Sequence, residues 1–223
     1  MRISENINEI LLDIKKLSPY PEKVNLVAVT KYVDTETIKG VLKSGAHILG
    51  ENKVQVSTKK YEEISDYSIG HKWHFIGNLQ KNKVKYIAHF IDMIHSINKL
   101  SLAEEIDKRA KEHNRIIEVL IEINLFQEDS KEGYDYQDFL NDIPALLSLE
   151  NIKIKGLMTM APYTDNEDII RNGFKKLREL KDELNILYFN DSLTELSMGM
   201  SNDYKLALEE GATLIRVGSK IFE

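Results

Sequence analysis

Short runs of β-branched and apolar residues recur eight times along this chain, and a longer amphipathic stretch separates each from the next. The runs lie at about 25–31, 47–52, 73–77, 93–97, 116–124, 154–160, 194–199 and 213–218. Helical patterns fall between them, near 34–44, 53–65, 81–89, 98–113, 135–149, 165–184 and 202–210. A strand, a helix and a second strand in succession call for a parallel pair joined by a right-handed crossover. Eight such units can close on themselves, so the pattern predicts an α/β fold, a single (β/α)8 TIM-type barrel. The competing architecture, an open doubly wound sheet, carries a Gly-rich first turn. Here the first strand–helix junction is Thr30-Lys31-Tyr32-Val33, with no G-x-G. Asp34 and Asn202-Asp203 are helix start signals, and Gly45 and Gly211 stand where helix C-caps belong. An extra amphipathic helix at 3–17 precedes the first strand. No length is left for a helix after the last strand, so this N-terminal helix is expected to cover the gap.

A chain of 223 residues buries enough surface to fold as one domain, 1–223, without a disulfide or a structural metal. It contains no cysteine, which excludes a disulfide scaffold, a thiolate zinc site, an iron–sulfur cluster and a cysteine nucleophile together. Thirty Lys+Arg stand against 36 Asp+Glu, both signs interspersed, so a nucleic-acid partner is not expected. The longest apolar runs, such as Leu26-Val27-Ala28-Val29, fall far short of the ~20 residues that span a bilayer. The first helix carries Glu5, Glu9 and Asp13 and no signal-peptide core. A cytoplasmic protein, off the membrane, is the expectation.

In such a barrel the chemistry sits where the strands end, and phosphate often sits at the last two strand–helix loops. Strand alternation gives Lys31 the parity of Val27 and Val29, over the barrel mouth. The plainer reading is a solvated lysine. Burial there would lower its pKa and free an amine that condenses with a carbonyl compound. Leu214, Arg216 and Gly218 share a face that points Arg216 inward, as a donor to a ligand or a partner of Glu118 or Glu122. Ser197-Met198-Gly199-Met200-Ser201 runs into a helix, and Gly218-Ser219 ends the final strand; glycines, hydroxyls and free N–H groups make a phosphate cradle. His71 and His74 face opposite sides, so no shared metal is expected, and His95 reads as a buried hydrogen-bonding residue. Trp73 and Phe75 should pack under helices. No Ser-His-Asp set, paired-carboxylate site or P-loop is present. A carbonyl-capturing lysine, an inward arginine and a terminal phosphate cradle together point to pyridoxal 5′-phosphate.

The same residues resemble the pyridoxal phosphate homeostasis proteins (the YggS/PROSC family), themselves similar to the N-terminal barrel of alanine racemase. The likeness runs from Val24 to Phe222. It rests on Val27-Ala28-Val29-Thr30-Lys31, Gly50-Glu51-Asn52 with Val54-Gln55, and WHFIGNLQKNK from Trp73 to Lys83. It continues in Ile123-Asn124 with Ser130-Lys131-Glu132-Gly133, Lys155-Gly156-Leu157-Met158, SMGMSNDY from Ser197 to Tyr204, and Arg216-Val217-Gly218-Ser219. The resemblance implies that Lys31 forms the aldimine and Arg216 faces the pyridine nitrogen. Gly218 and Ser219 belong to the phosphate site, with Ser197 and Ser201 in the loop that adds contacts. Asn52, His74 and Met158 match positions near the cofactor. Thr30 stands where many relatives have serine, keeping the hydroxyl. The chain ends Ile221-Phe222-Glu223 where a glycine usually follows the phenylalanine, so a less tightly packed terminus is expected.

An arginine at the pyridine nitrogen favours its unprotonated form, a weaker electron sink than an aspartate partner provides. Alanine racemase also needs a tyrosine from a second domain, and neither Tyr32 nor Tyr163 is evidently placed to replace it. The resemblance therefore implies a pyridoxal phosphate-binding protein in vitamin B6 homeostasis without catalysis of its own, a monomer or weak dimer, with apoenzymes as acceptors. A racemase or lyase is the alternative, and a phosphosugar-binding barrel enzyme without pyridoxal a third.

Overall fold

The computed structural model describes residues 2–126 and 133–223. Its eight strands are β1 (Asn25–Val29), β2 (Ile48–Glu51), β3 (Lys72–Phe75), β4 (Met93–Ile97), β5 (Ile117–Glu122), β6 (Ile152–Met158), β7 (Glu195–Ser197) and β8 (Leu214–Val217). They pair in parallel in chain order, and β8 returns to β1 to close the barrel. The TIM-type architecture expected from the alternation is the one observed. The helices are α1 (Arg2–Leu17), α2 (Thr35–Lys43), α3 (Val54–Ile64), α4 (Leu100–Glu112), α5 (Tyr136–Leu147), α6 (Glu167–Leu184), α7 (Tyr204–Glu209) and α8 (Ser219–Phe222). Between β3 and β4 the expected helix at 81–89 is a 3-10 segment, Lys81–Tyr86. Lys81, Lys83 and Lys85 crowd like charges on one short element, which disfavours a regular α-helix. The Ser130–Glu132 part of the family resemblance lies outside the described residues.

Two layers of apolar packing follow from strand alternation. Val27, Met93, Leu120, Met158 and Leu214 fill the inside of the barrel, with Ile48 and Ile76 against them. Residues of opposite parity, among them Ala28, Leu49, Trp73, Phe75, Val119 and Ile215, form the larger core between sheet and helices. Trp73 and Phe75 thus pack where expected. Asp34 caps α2 by accepting from the Thr37 N–H, and Gly45 and Gly211 adopt the left-handed conformation that ends a helix.

The N-terminal helix does close the ring, but not over an empty place. A one-turn helix, α8, follows β8, where no room for one was expected, and α1 packs against it and against α7 and α2. Ile7, Ile10 and Ile14 are buried on the inner face of α1. The Asn6 side-chain amide donates to the Ile221 carbonyl at 3.0 Å, and Lys220 pairs with Glu9 at 2.8 Å. Ile221 is fully buried, so the terminus is well packed, contrary to the expectation. From α7 the Tyr204 hydroxyl donates to Asp13 at 2.6 Å. A hydrogen bond to a carboxylate in a half-buried seam contributes about 1–2 kcal/mol. Tyr204→Phe is therefore expected to lower stability by that amount in urea unfolding, with the far-UV dichroism unchanged.

Candidate functional site

The polar residues singled out in the sequence gather at the carboxyl ends of β1, β7 and β8, and the register explains why. Val27 lies beside Arg216 and Ala28 beside Val217, so one seam carries Arg216, Gly218 and, beyond the end of β1, Lys31. A Cβ added to Gly218 would come within 3.2 Å of the Val29 Cβ, which shows how tightly the two strand ends meet. β1 stops at Val29, two residues short of expectation, so Lys31 sits in a turn. It is half-buried, with its Nζ 4.9 Å from the centre of the Tyr32 ring.

The turn is anchored from behind by a group that sequence reasoning missed. Glu51, at the end of β2, and Lys60, on α3, form an ion pair at 2.8 Å between sheet and helices, 0% and 7% exposed respectively. Lys60 Nζ also donates to the Thr30 carbonyl at 2.6 Å, and the Thr30 hydroxyl donates to the same Glu51 oxygen at 2.7 Å. The Thr30 N–H donates to the Gly50 carbonyl, and its carbonyl also takes the Val33 N–H. Every polar group of Thr30 is engaged, so the residue that precedes Lys31 is held by its hydroxyl, N–H and carbonyl together.

Arg216 points into the barrel and is buried. Its guanidinium donates to the Ser197 hydroxyl at 2.5 Å and to the Thr159 carbonyl at 3.0 Å. Burial pushes its pKa down to about 10, against the opposing pull of the charges on Asp203 and Glu122, so it stays cationic at neutral pH. Of the two partners weighed from the sequence, Glu122 thus acts on it through its charge, whereas Glu118 lines a cavity at the far end of the barrel. Thr159 was not foreseen: it contributes a backbone carbonyl, which no side-chain pattern reveals.

Ser197 and Ser201 part company. Ser197 is the last residue of β7 and fully buried, its hydroxyl between Arg216 and the His95 Nδ1 at 2.8 Å. The chain then turns at Gly199, with φ +92°, and Ser201 lands in the rim loop. There its Oγ accepts from the Gly218 N–H at 3.2 Å and the Lys220 N–H at 3.4 Å, with Ser219 between them opening α8. The buried Asp203 accepts the Met200 N–H and stiffens the loop; burial raises its carboxyl above the usual range. The helices that follow have six and four residues, so the donors here are loop amides and hydroxyls rather than the dipole of a long helix.

Asn52 is half-buried just past β2, its backbone pressed against Gly77, where a Cβ would meet the Asn52 carbonyl at 2.6 Å. Met158 and His74 lie deeper. Met158 belongs to the packed interior layer. His74 is buried in β3 with its Nδ1 2.9 Å from the His95 Nε2. His95, mid-strand in β4, is the buried hydrogen-bonding residue the sequence indicated.

With this geometry in view, the chain can be set against known proteins. It matches the family described as alanine racemase, N-terminal domain, over residues 5–223. It is 41% identical to the pyridoxal phosphate homeostasis protein of Aquifex aeolicus, across 100% of this chain and 98% of that one. With the protein of the same name from Synechocystis the identity is 36%, over 92% and 94% of the two chains. Among solved structures, PipY of Synechococcus elongatus, determined with PLP bound, superimposes with a TM-score of 0.90 at 34% identity, covering 99% of this chain and 100% of that one. The alanine racemase of Clostridium difficile gives 0.77 at 16% identity and 59% coverage of its length, a likeness of fold alone.

Proposed function

The chain belongs to the pyridoxal phosphate homeostasis proteins of the alanine racemase N-terminal domain family, and on that premise we propose that it binds pyridoxal 5′-phosphate through Lys31 and takes part in its homeostasis. The observation that carries this reading is the β1–β8 seam, where a primary amine, an arginine and a cluster of amides and hydroxyls follow one another along two paired strand ends. These donors complement the three acceptors of the cofactor: an aldehyde, a pyridine nitrogen and a phosphate. When bound, the cofactor supplies an electrophilic carbon and an electron-accepting ring. Lys31 is the residue that would hold that carbon, through its primary amine. Arg216, unable to accept a proton or to give one up at neutral pH, would donate to the ring nitrogen and favour its unprotonated form. Gly218, Ser219 and Ser201 would hold the phosphate, with Asn52 near the entrance.

An unprotonated ring is a poor electron sink, which suits holding the cofactor and handing it to apoenzymes more than turning over amino acids. A racemase would need a second base opposite Lys31. The two tyrosines weighed for it, Tyr32 and Tyr163, are 83% and 96% exposed.

The test is to soak the protein with pyridoxal 5′-phosphate, reduce with borohydride and map the peptides. One phosphopyridoxyl group on the peptide containing Lys31 is expected, together with a visible absorption band, and neither in Lys31→Ala. An adduct on a different lysine, or a protein that stays colourless, would overturn the reading.

A further inference from the structure

The barrel opens a second time. Asn25, Ile48, Lys72, Met93, Glu195 and Leu214, which begin six of the strands, surround a cavity of about 480 Å3 at the amino-terminal end. That volume is typical of small-molecule pockets, whereas barrel interiors are ordinarily filled by side chains. Met93 and Leu214 give it an apolar wall. Its charged residues are sorted by sign, Lys72 at the start of β3 and Glu118 and Glu195 on β5 and β7, while His47 and His71 precede β2 and β3. His71, expected to face away from His74, reaches the same cavity because it precedes β3 rather than lying in it. The Glu195 oxygens are taken by the hydroxyls of Thr213 and Thr194. Lys72 and Glu118 line one cavity with opposite charge, and among the described residues neither has an ion pair or a side-chain hydrogen bond.

The deepest polar group is His74, 3% exposed, and its orientation follows from Arg216. A guanidinium only donates, so the Ser197 oxygen accepts from it. Ser197 is fully buried, and the other group at hydrogen-bond distance from its Oγ is the His95 Nδ1, so the hydroxyl proton is donated there. His95 must then carry its proton on Nε2 and donate to the His74 Nδ1, which leaves the His74 proton on Nε2. That N–H has no protein acceptor among the described residues, and His74 lines the cavity. Burial holds both rings neutral, the His74 pKa down at about 3 and that of His95 well below the usual imidazole value.

We propose that this cavity is a second ligand site, for a small molecule of the amino-acid class, its carboxylate on the His74 Nε2–H and Lys72 and its ammonium on Glu118, with occupancy relayed to Arg216 through His95 and Ser197. A solute bearing both charges satisfies the one uncommitted cation, the one uncommitted anion and the unpaired N–H together. The site does not depend on the cofactor, so its test uses the cofactor-free protein and stands or falls separately from the reading of the upper rim.

Ring-nitrogen NMR should first show His74 and His95 neutral with both protons on Nε2. Titration with L-alanine should then shift the His74 ring signal saturably. Propionate and ethylamine, each with one of the two charges, should bind at least about tenfold more weakly, the worth of one charge-assisted hydrogen bond. Glu118→Gln and Lys72→Met, both at the cavity wall, should weaken alanine by a similar factor. The Arg216 side-chain N–H signal should move with alanine in the native protein and stay still in Ser197→Ala, while the His74 signal still moves. An Nδ1-protonated ring, no shift with alanine, equal shifts with all three solutes, or indifference to the cavity variants would overturn the site. An Arg216 signal that still responds in Ser197→Ala would overturn the relay.

Discussion

Lys60→Met is expected to cost about 3–5 kcal/mol of folding stability in urea unfolding, because it strands the buried Glu51 carboxylate. Glu51 has one oxygen that already lacks a hydrogen-bond partner, so after the substitution only the Thr30 hydroxyl would remain to compensate the charge. The loss is about the charge left behind and not about the attraction removed. Glu51→Met combined with Lys60→Met should therefore recover most of it, to within about 2 kcal/mol of the native protein, since two apolar chains can replace a buried pair at little cost. The Thr30 carbonyl and hydroxyl would still have lost partners, each worth about 1 kcal/mol. The double variant also separates stability from function. It should fold, yet take up pyridoxal phosphate more slowly, because the turn that presents Lys31 is no longer pinned. A single variant that loses less than about 1 kcal/mol would mean that the pair is solvated and that Thr30 is held by other means.

The period of the apolar residues made the barrel legible, since eight strand-length runs with helical stretches between them admit few closed architectures. Strand ends were harder to read. β1 looked as if it continued to Lys31 because Val27, Val29 and Lys31 alternate correctly, but alternation persists in an extended chain after pairing has ceased. Ser197 and Ser201 appeared as one cradle because they are four residues apart, and the left-handed turn at Gly199 sends them to different places. Lys60 carried a signal that went unused. It falls at helical spacing with the buried Val54, Ser57 and Ile64, and a lysine on the inner face of a helix needs a buried partner. The contact between His95 and Ser197 joins residues 102 apart in the chain and left no local trace, and the Thr159 carbonyl left none at all.

Acidification from pH 7 to pH 5 is expected to cost about 2 kcal/mol through His74, and His95 shifts stability in the same direction. The sign follows from the direction of the shift. In the unfolded chain an imidazole takes up its proton near pH 6.5, whereas in the fold burial delays this until about pH 3 for His74 and well below the usual value for His95. Between those limits the unfolded state binds more protons. The stabilisation is therefore complete above about pH 6.5 and drains away as the pH falls towards 3, at up to about 1.4 kcal/mol per unit for each ring. Carboxylates titrate at the lower end of this range, so the measurement is a difference. His74→Gln keeps an acceptor for the His95 N–H but cannot take up a proton, and should lose about 2 kcal/mol less than the native protein over the same interval. Identical pH profiles would mean that the rings are already charged or wet in the fold. Neutrality is a physical requirement of the arrangement: a proton on the His95 Nδ1 would place a second cation across one hydroxyl from Arg216, and Ser197 would then face donors on both sides with no acceptor for its own hydrogen.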